Sequence, residues 1–310
     1  MEFGLHRLIC EDLDAYVEES RQFYDLRRSA AKDAPQPDLR DPAVLKDIRS
    51  ERSSSTSPNR ALEHVAQAYG REVPVRVITP QKDEIRGVYL DIHGGGFYMD
   101  SAARNDFRNA RLADTTGVAV VSVDYRLAPE SPWPAAPDDC ETAALWALDQ
   151  AQQKFGTSRV VIGGASAGSN LAMSTLMRLR DRGLTGSITG AVLEFGAYDL
   201  SGQTPGGRLY AGEYFIEAYT GHAIDRTDPD ISPLFGRLHG LPPTLLIVGI
   251  LDILLEDNFA MAARLSVAGN DVEIRVYPES PHGFTFHPTS MARAATRGIE
   301  SWVRDRLEGK

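Results

Sequence analysis

The sequence has little cysteine: two residues, Cys10 and Cys140, in a chain of 310. Thiols so few and so far apart exclude a disulfide framework and favour a reducing compartment, so a cytoplasmic location is expected. No apolar run reaches the roughly 18 residues a membrane-crossing helix needs, and no stable membrane association is expected. The opening Met1-Glu2-Phe3-Gly4-Leu5-His6-Arg7 lacks the apolar stretch and small-residue cleavage site of a secretory signal. Positive charge is in deficit, with 33 Lys and Arg against 43 Asp and Glu. The net charge of -10 disfavours nucleic acid or an anionic surface as a partner. His6, His222, His239 and His287 show no metal-ligand spacing, and two isolated cysteines add no zinc signature, so neither a metal nor an organic cofactor is expected. No repeat of fixed period occurs, which speaks against a solenoid. The glycine clusters Gly94-Gly95-Gly96 and Gly163-Gly164 do not spell the GxGxxG of a dinucleotide site.

What is present is an alternation of two kinds of segment. Short apolar runs predict strands over 73–78, 87–92, 118–123, 159–162, 188–193, 244–248 and 272–276. Between them, longer amphipathic segments predict helices near 107–114, 137–155, 169–181, 257–268 and 290–307. That order predicts an α/β fold with a mainly parallel central sheet covered by helices on both faces. Before it, residues 11–32 read as an amphipathic helix in need of a partner surface, while 31–42 and 51–59 read as connections rich in proline or serine.

Four motifs carry chemistry. In Gly164-Ala165-Ser166-Ala167-Gly168 a serine stands where a buried strand must turn into a helix, an elbow that exposes a nucleophilic hydroxyl. The competing reading is a tight turn with a capping serine. His93-Gly94-Gly95-Gly96-Phe97 follows a strand, and a triple glycine there suits a backbone that must come close to a ligand with its amides inward. The amides of Gly95, Gly96 and Ala167 are the candidate oxyanion donors. Asp252 and His282 each lie just past a strand, at the sheet edge where ligands bind. The order serine, acid, histidine gives a nucleophile, an orienting carboxylate and a base. Glu256 and Asp257 compete with Asp252 for the acid, and position at the loop favours Asp252.

With these motifs in place, the chain resembles the hormone-sensitive lipase-like, HGGG-motif esterases of the α/β-hydrolase superfamily. The resemblance also rests on Asp124-Tyr125-Arg126-Leu127-Ala128-Pro129-Glu130, Asp228-Pro229, Ile231-Ser232-Pro233, Leu241-Pro242-Pro243-Thr244 and His282-Gly283-Phe284, over roughly residues 75–308. The chain departs from the family pattern at Ala165, Ser169, Ile253 and Asp100, where aspartate, glycine, proline and glycine are common. The first two changes remove no catalytic atom, while the last two bear on the local shape of two loops and, through them, on substrate preference.

The resemblance implies an α/β-hydrolase fold with a helical cap. Its segments divide as an N-terminal cap segment over 1–60, a core over 61–199, a second cap segment over 200–235 and the rest of the core over 236–310. It implies a serine carboxylesterase acting on small-molecule esters with short to medium acyl chains, in which Ser166, Asp252 and His282 form the triad. Phe97, Tyr98, Phe195, Tyr198, Tyr214 and Phe215 are the expected substrate-binding residues. An amidase, a lactone hydrolase and a non-catalytic receptor of the same fold stay open, as does the choice between monomer and homodimer. The dimer surface expected is the exposed side of the 244–248 and 272–276 strands with the 290–307 helix.

Overall fold

A computed structural model describes residues 13–32, 37–53, 60–81 and 84–309. His6, Cys10, the opening seven residues and most of the serine-rich stretch before Arg60 lie outside that set.

Helices α1 (Asp14–Ala31) and α2 (Pro42–Ser53) precede the strands β1 (Leu62–Ala68), β2 (Arg71–Ile78) and β3 (Gly87–Ile92). The chain then alternates through α3 (Asp106–Thr116), β4 (Val118–Val123), α4 (Ala135–Phe155), β5 (Val160–Ala165), α5 (Ala167–Asp181) and β6 (Ile188–Glu194). Two short helices, α6 (Pro205–Arg208) and α7 (Tyr214–Thr220), interrupt the pattern before β7 (Thr244–Gly249), α8 (Leu255–Val267), β8 (Val272–Tyr277) and α9 (Ser290–Glu308).

The strands make one eight-stranded sheet in the order β1-β2-β4-β3-β5-β6-β7-β8. Pairing is parallel from β4 through β8, while β1 and β2 run antiparallel at one end. Every residue of β3, β4, β5 and β7 is buried, as both-face coverage of a parallel sheet requires. From β3 the chain steps toward β4 on one side, and from β5 it steps toward β6 on the other. Right-handed crossovers therefore put α3 and α5 on opposite faces and open a crevice at the carboxyl ends of β3 and β5. The glycine loop and the serine elbow both leave the sheet at that point.

Two elements escape the sequence reading. β1 is an edge strand whose outward face carries Glu63 and Gln67, so its alternation is weak. It forms because Tyr69 and Gly70, both at positive φ, close a two-residue hairpin onto β2. Helix α2 takes in residues 51–53, expected as part of a connection. Pro42 opens it, the Asp41 carboxylate accepts the Ala43 amide at 2.8 Å, and Leu45 is buried. The expected dimer surface also changes: β7 is wholly buried inside the sheet and offers no exposed side. Of these two strands, β8 alone lies at a sheet edge.

Polar groups lock α3 beneath the crevice. Asp91, at the end of β3, accepts from Asn105 at 3.0 Å and Asn109 at 2.8 Å, and Asn109 also donates to the Ser122 hydroxyl of β4. All four are buried. An Asp91→Ala variant strands the Asn105 amide away from water, leaves Asn109 only its bond to Ser122, and is expected to lower stability by roughly 1–3 kcal/mol in urea unfolding; a loss under about 0.5 kcal/mol refutes this account.

Candidate active site

Ser166 is the turning point between β5 and α5 and has φ 56°, ψ −119°, a conformation L-residues rarely hold. It persists because neighbours leave the chain no other route. A Cβ at Gly164 would strike the Gly168 carbonyl, and a Cβ at Gly168 would strike the carbonyls of Ile92 and His93. The Ser166 amide donates to the Glu194 carbonyl at 2.8 Å. Ser169, where the family commonly has glycine, fastens the elbow further by donating to the carbonyls of Gly164 at 2.6 Å and Glu194 at 2.9 Å. Helix α5 starts at Ala167, directly after the serine rather than near 169, so the positive end of its dipole sits at the elbow.

His282 and Asp252 arrive from β8 and β7. The Ser166 Oγ lies 2.9 Å from His282 Nε2, and His282 Nδ1 lies 3.0 Å from Asp252 Oδ2. The Asp252 side chain is fully buried, while His282 is partly open to solvent. The Leu254 amide donates to Asp252 Oδ1 at 2.8 Å and fixes the carboxylate. With the ring proton on Nδ1 shared with Asp252, Nε2 is left to accept from the serine hydroxyl. Neither competing acid reaches the ring. Glu256 is exposed. Asp257 faces away, accepting from the amides of Tyr198 and Asp199 and, at 2.7 Å, from the Tyr210 hydroxyl.

The glycine loop forms the facing wall. Gly95, Gly96 and Phe97 hold successive positive φ values of 101°, 60° and 65°. A Cβ on Gly95 would strike the Met99 carbonyl, so glycine is required there. Among the described residues the Gly95 and Gly96 amides have no acceptor. His93 organises the loop: its Nδ1 is 2.7 Å from the Gly94 carbonyl and its ring stacks on Tyr125 at 4.1 Å.

A cleft of about 690 Å³ lies over Ser166 and His282, walled by the glycine loop, Tyr98, Phe195, Tyr210, Phe215, Ile253 and Phe286. Of the six expected substrate-binding residues, Tyr98, Phe195 and Phe215 line it and three do not. Phe97 turns into the core and stacks on Tyr219 at 3.8 Å. Tyr198 is fully buried, its ring packed across Gly196. Tyr214 sits behind Tyr98, edge to face at 5.6 Å. Arg52, Arg104 and Phe286, which the sequence reading passed over, and His287, which it weighed only as a metal ligand, also stand in the wall. The only signal for Phe286 and His287 was closeness to His282; Arg52 and Arg104 gave none. Among the described residues no His, Cys, Asp and Glu side chains group as a metal site, and no helix is long and apolar enough to cross a membrane.

This sheet, with a serine elbow at its switch point and an imidazole and carboxylate in hydrogen-bonded series behind it, has the architecture of the α/β hydrolases. The profile of a family described as the alpha/beta hydrolase fold matches residues 89–286, and the chain belongs to that family. It is 31% identical over 254 residues to the carboxylic ester hydrolase LipN of Mycobacterium tuberculosis, covering 76% of this chain and 68% of that one. To the ethyl acetate hydrolase of Pseudomonas putida it is 29% identical, covering 88% of this chain and 91% of that one. Among solved structures, a hormone-sensitive lipase from a metagenome library superposes with a TM-score of 0.78 at 27% identity, covering 93% of this chain and 98% of that one. The chain is thus a hormone-sensitive lipase-like member of the superfamily.

Burial raises the Asp257 carboxyl from its ordinary 3.8 to about 6, against the bonds from Tyr198, Tyr210 and Asp199 that favour its charged form. The folded state therefore holds this proton more tightly than the unfolded state. Its contribution to stability is complete below about pH 4 and is lost as the pH rises through 6. Wild type is expected to lose on the order of 2–3 kcal/mol from this group between pH 4 and 7, and Asp257→Asn is expected not to. Urea unfolding of both proteins across that range checks it; parallel profiles contradict it.

Proposed function

We propose that the chain is a serine carboxylesterase that hydrolyses esters of short to medium acyl chains through an acyl-enzyme. One observation carries the reading: the unbroken chain from Ser166 Oγ through His282 to buried Asp252, at 2.9 and 3.0 Å, on the floor of an open cleft. In this mechanism Ser166 Oγ attacks the ester carbonyl carbon while its proton passes to His282 Nε2. The electron pair of the carbonyl moves onto oxygen, where the amides of Gly95, Gly96 and Ala167 hold the negative charge. As the intermediate collapses, His282 gives its proton to the departing alcohol. A water molecule then attacks the acyl carbon, loses a proton to Nε2, and the acid leaves as the proton returns to Ser166. Asp252 keeps the ring oriented and stabilises the imidazolium.

The wall supports the substrate class. Phe195, Phe215, Phe286 and Ile253 supply apolar surface in the cleft that holds Ser166. Kinship with a protein named as a carboxylic ester hydrolase agrees with ester hydrolysis, and kinship with one named as an ethyl acetate hydrolase agrees with small acyl groups. Residues 1–60 and 200–235 are read as the two cap segments: among the described residues the second contributes Tyr210, Glu213 and Phe215 to the wall, and α2 contributes Arg52.

Ser166→Ala is expected to lower turnover of a short-chain ester by roughly 10⁴- to 10⁶-fold with the fold intact, and Asp252→Asn by roughly 10⁴-fold. Glu256→Gln is expected to stay within about threefold, since its side chain is exposed and the ring's nitrogens are bonded to Asp252 and Ser166 instead. Full activity in Ser166→Ala, or a larger loss from Glu256→Gln than from Asp252→Asn, reassigns the residues. Across a panel of esters, emulsified triglycerides, aryl amides and lactones, kcat/KM is expected to peak at short or medium acyl esters. A peak at long emulsified triglycerides, amides or lactones overturns the substrate class.

A further inference from the structure

The glycine loop is held almost entirely by its carbonyls. The Tyr125 hydroxyl lies 2.9 Å from the His93 carbonyl and 3.2 Å from that of Gly94. The Gly95 carbonyl accepts from Tyr98 and Met99, and that of Phe97 from the Ala128 amide at 3.0 Å. With the carbonyls tied back toward the protein, the amides of Gly95 and Gly96 are left without acceptors beside the cleft. Three successive residues at positive φ do not hold such a shape unaided.

The outermost tie comes from outside the sheet. Arg49 of α2 donates from Nε to the Tyr98 carbonyl at 2.8 Å and from Nη2 to the Ala128 carbonyl at 2.5 Å. Its guanidinium also grips Glu130 with both Nη atoms, at 2.8 and 3.1 Å. One planar cation thus joins the far end of the glycine loop, the segment that holds Phe97, and a carboxylate that keeps the cation in place. A guanidinium can do this because its donors point in fixed, divergent directions, whereas an ammonium is a single point. Its side chain is largely shielded, with 21% exposed, so water competes weakly for these bonds.

We propose that Arg49 is a positioning residue for the oxyanion site: by fixing the Tyr98 carbonyl it sets the angle at which the Gly95 and Gly96 amides meet developing charge on the substrate. It rests on the serine esterase reading above. Arg49 does not touch the substrate. Its effect falls on the transition state, because a planar ester carbonyl asks less of those amides than a tetrahedral oxyanion does.

The test compares Arg49→Lys, Arg49→Ala and Glu130→Gln with the parent, each corrected for active sites by titration with a phosphonate that labels Ser166. For a short-chain ester, Arg49→Ala is expected to lose roughly 10- to 100-fold in kcat with KM within about threefold, as small misplacements of catalytic donors do. Arg49→Lys falls between, and Glu130→Gln, which leaves both carbonyl bonds, loses less than Arg49→Lys. A short alkylboronic acid, which becomes tetrahedral on the serine, is expected to bind Arg49→Ala more weakly by about the factor lost in kcat. The ether isostere of the ester, which has no carbonyl, keeps its affinity. Equal weakening of boronate and ether, or unchanged kcat per titrated site in Arg49→Lys and Arg49→Ala, overturns the proposal. Should Arg49→Ala fail to fold, Arg49→Lys and Glu130→Gln carry the same comparison. If the phosphonate does not label Ser166 in the parent, the serine esterase reading fails and this proposal with it; a labelled parent with indifferent Arg49 variants defeats the proposal alone.

Discussion

Between the first turn of α5 and the end of β3 there is no room for one methyl group. The Gly168 α-carbon lies against the carbonyls of Ile92 and His93, and Gly164 lies against Gly168 itself. This contact brings the serine elbow and the glycine loop into one site, because it fixes the distance between the carboxyl ends of two neighbouring parallel strands. The strained backbone of Ser166 follows from it: with α5 pressed on β3, the turn from β5 has no length in which to relax. The parallel pairing of β3 with β5 and the switch in strand order beside them are the larger frame that makes so close an approach possible.

An ion pair between a half-buried arginine and a buried glutamate supports the same region from below. Glu194, at the end of β6, gives its backbone carbonyl to the amide of Ser166 and the hydroxyl of Ser169. Its carboxylate pairs with Arg108 of α3 and accepts from Thr285, three residues beyond His282, at 2.8 Å. The Arg108 guanidinium lies 5.0 Å from the centre of the Phe286 ring, and Phe286 meets Phe195, whose ring packs edge to face on His282 at 5.1 Å. Removing both charges from water opposes folding, so the pair is better understood as fixing the register of three segments than as a source of net stability. The elbow, the loop that carries His282, and α3 are thereby all tied to one residue, the elbow through its backbone carbonyl and the other two through its carboxylate.

How much of this was legible follows from the range of the forces involved. The elbow, the glycine loop and the positions of Asp252 and His282 are local demands of backbone and chemistry, and they stand in the sequence as short motifs. The central strands were legible because burial on both faces leaves continuous apolar runs. β1 was not, since half of it faces solvent and its pairing depends on a turn at Tyr69-Gly70 whose first residue is not a usual turn former. The cleft wall was legible only in part. Phe97 and Tyr98 are neighbours, yet one stacks on Tyr219 in the core and the other faces the cleft, a choice made by the positive φ of Phe97 that its residue type does not announce. Arg49 and Arg52 were silent for another reason: an arginine among many charges acquires meaning only from what it reaches.

The N-terminal helices reach both loops that the proposed chemistry uses. α2 grips the glycine loop through Arg49, and Arg52 pairs with Asp100 at 3.0 Å. Asp100 holds a positive φ of 67° where the family commonly has glycine, so an aspartate that would otherwise be disfavoured there is matched by a cation from another element. α1 attends to the opposite side. Ser20 donates to the Glu279 carbonyl at 2.6 Å, Arg21 pairs with the Glu279 carboxylate at 2.9 Å, and the Tyr24 hydroxyl meets His287 Nδ1 at 3.0 Å. Glu279 and His287 bracket His282 along the chain. The segment that the sequence presents as an amphipathic helix in need of a partner surface, with the helix after it, is therefore bonded to the loop that carries His282 and to the glycine loop, which face each other across the cleft. The two loops leave different strands and share no backbone ladder beyond the sheet. Their relative placement depends on the elbow beneath them and on these two helices around them.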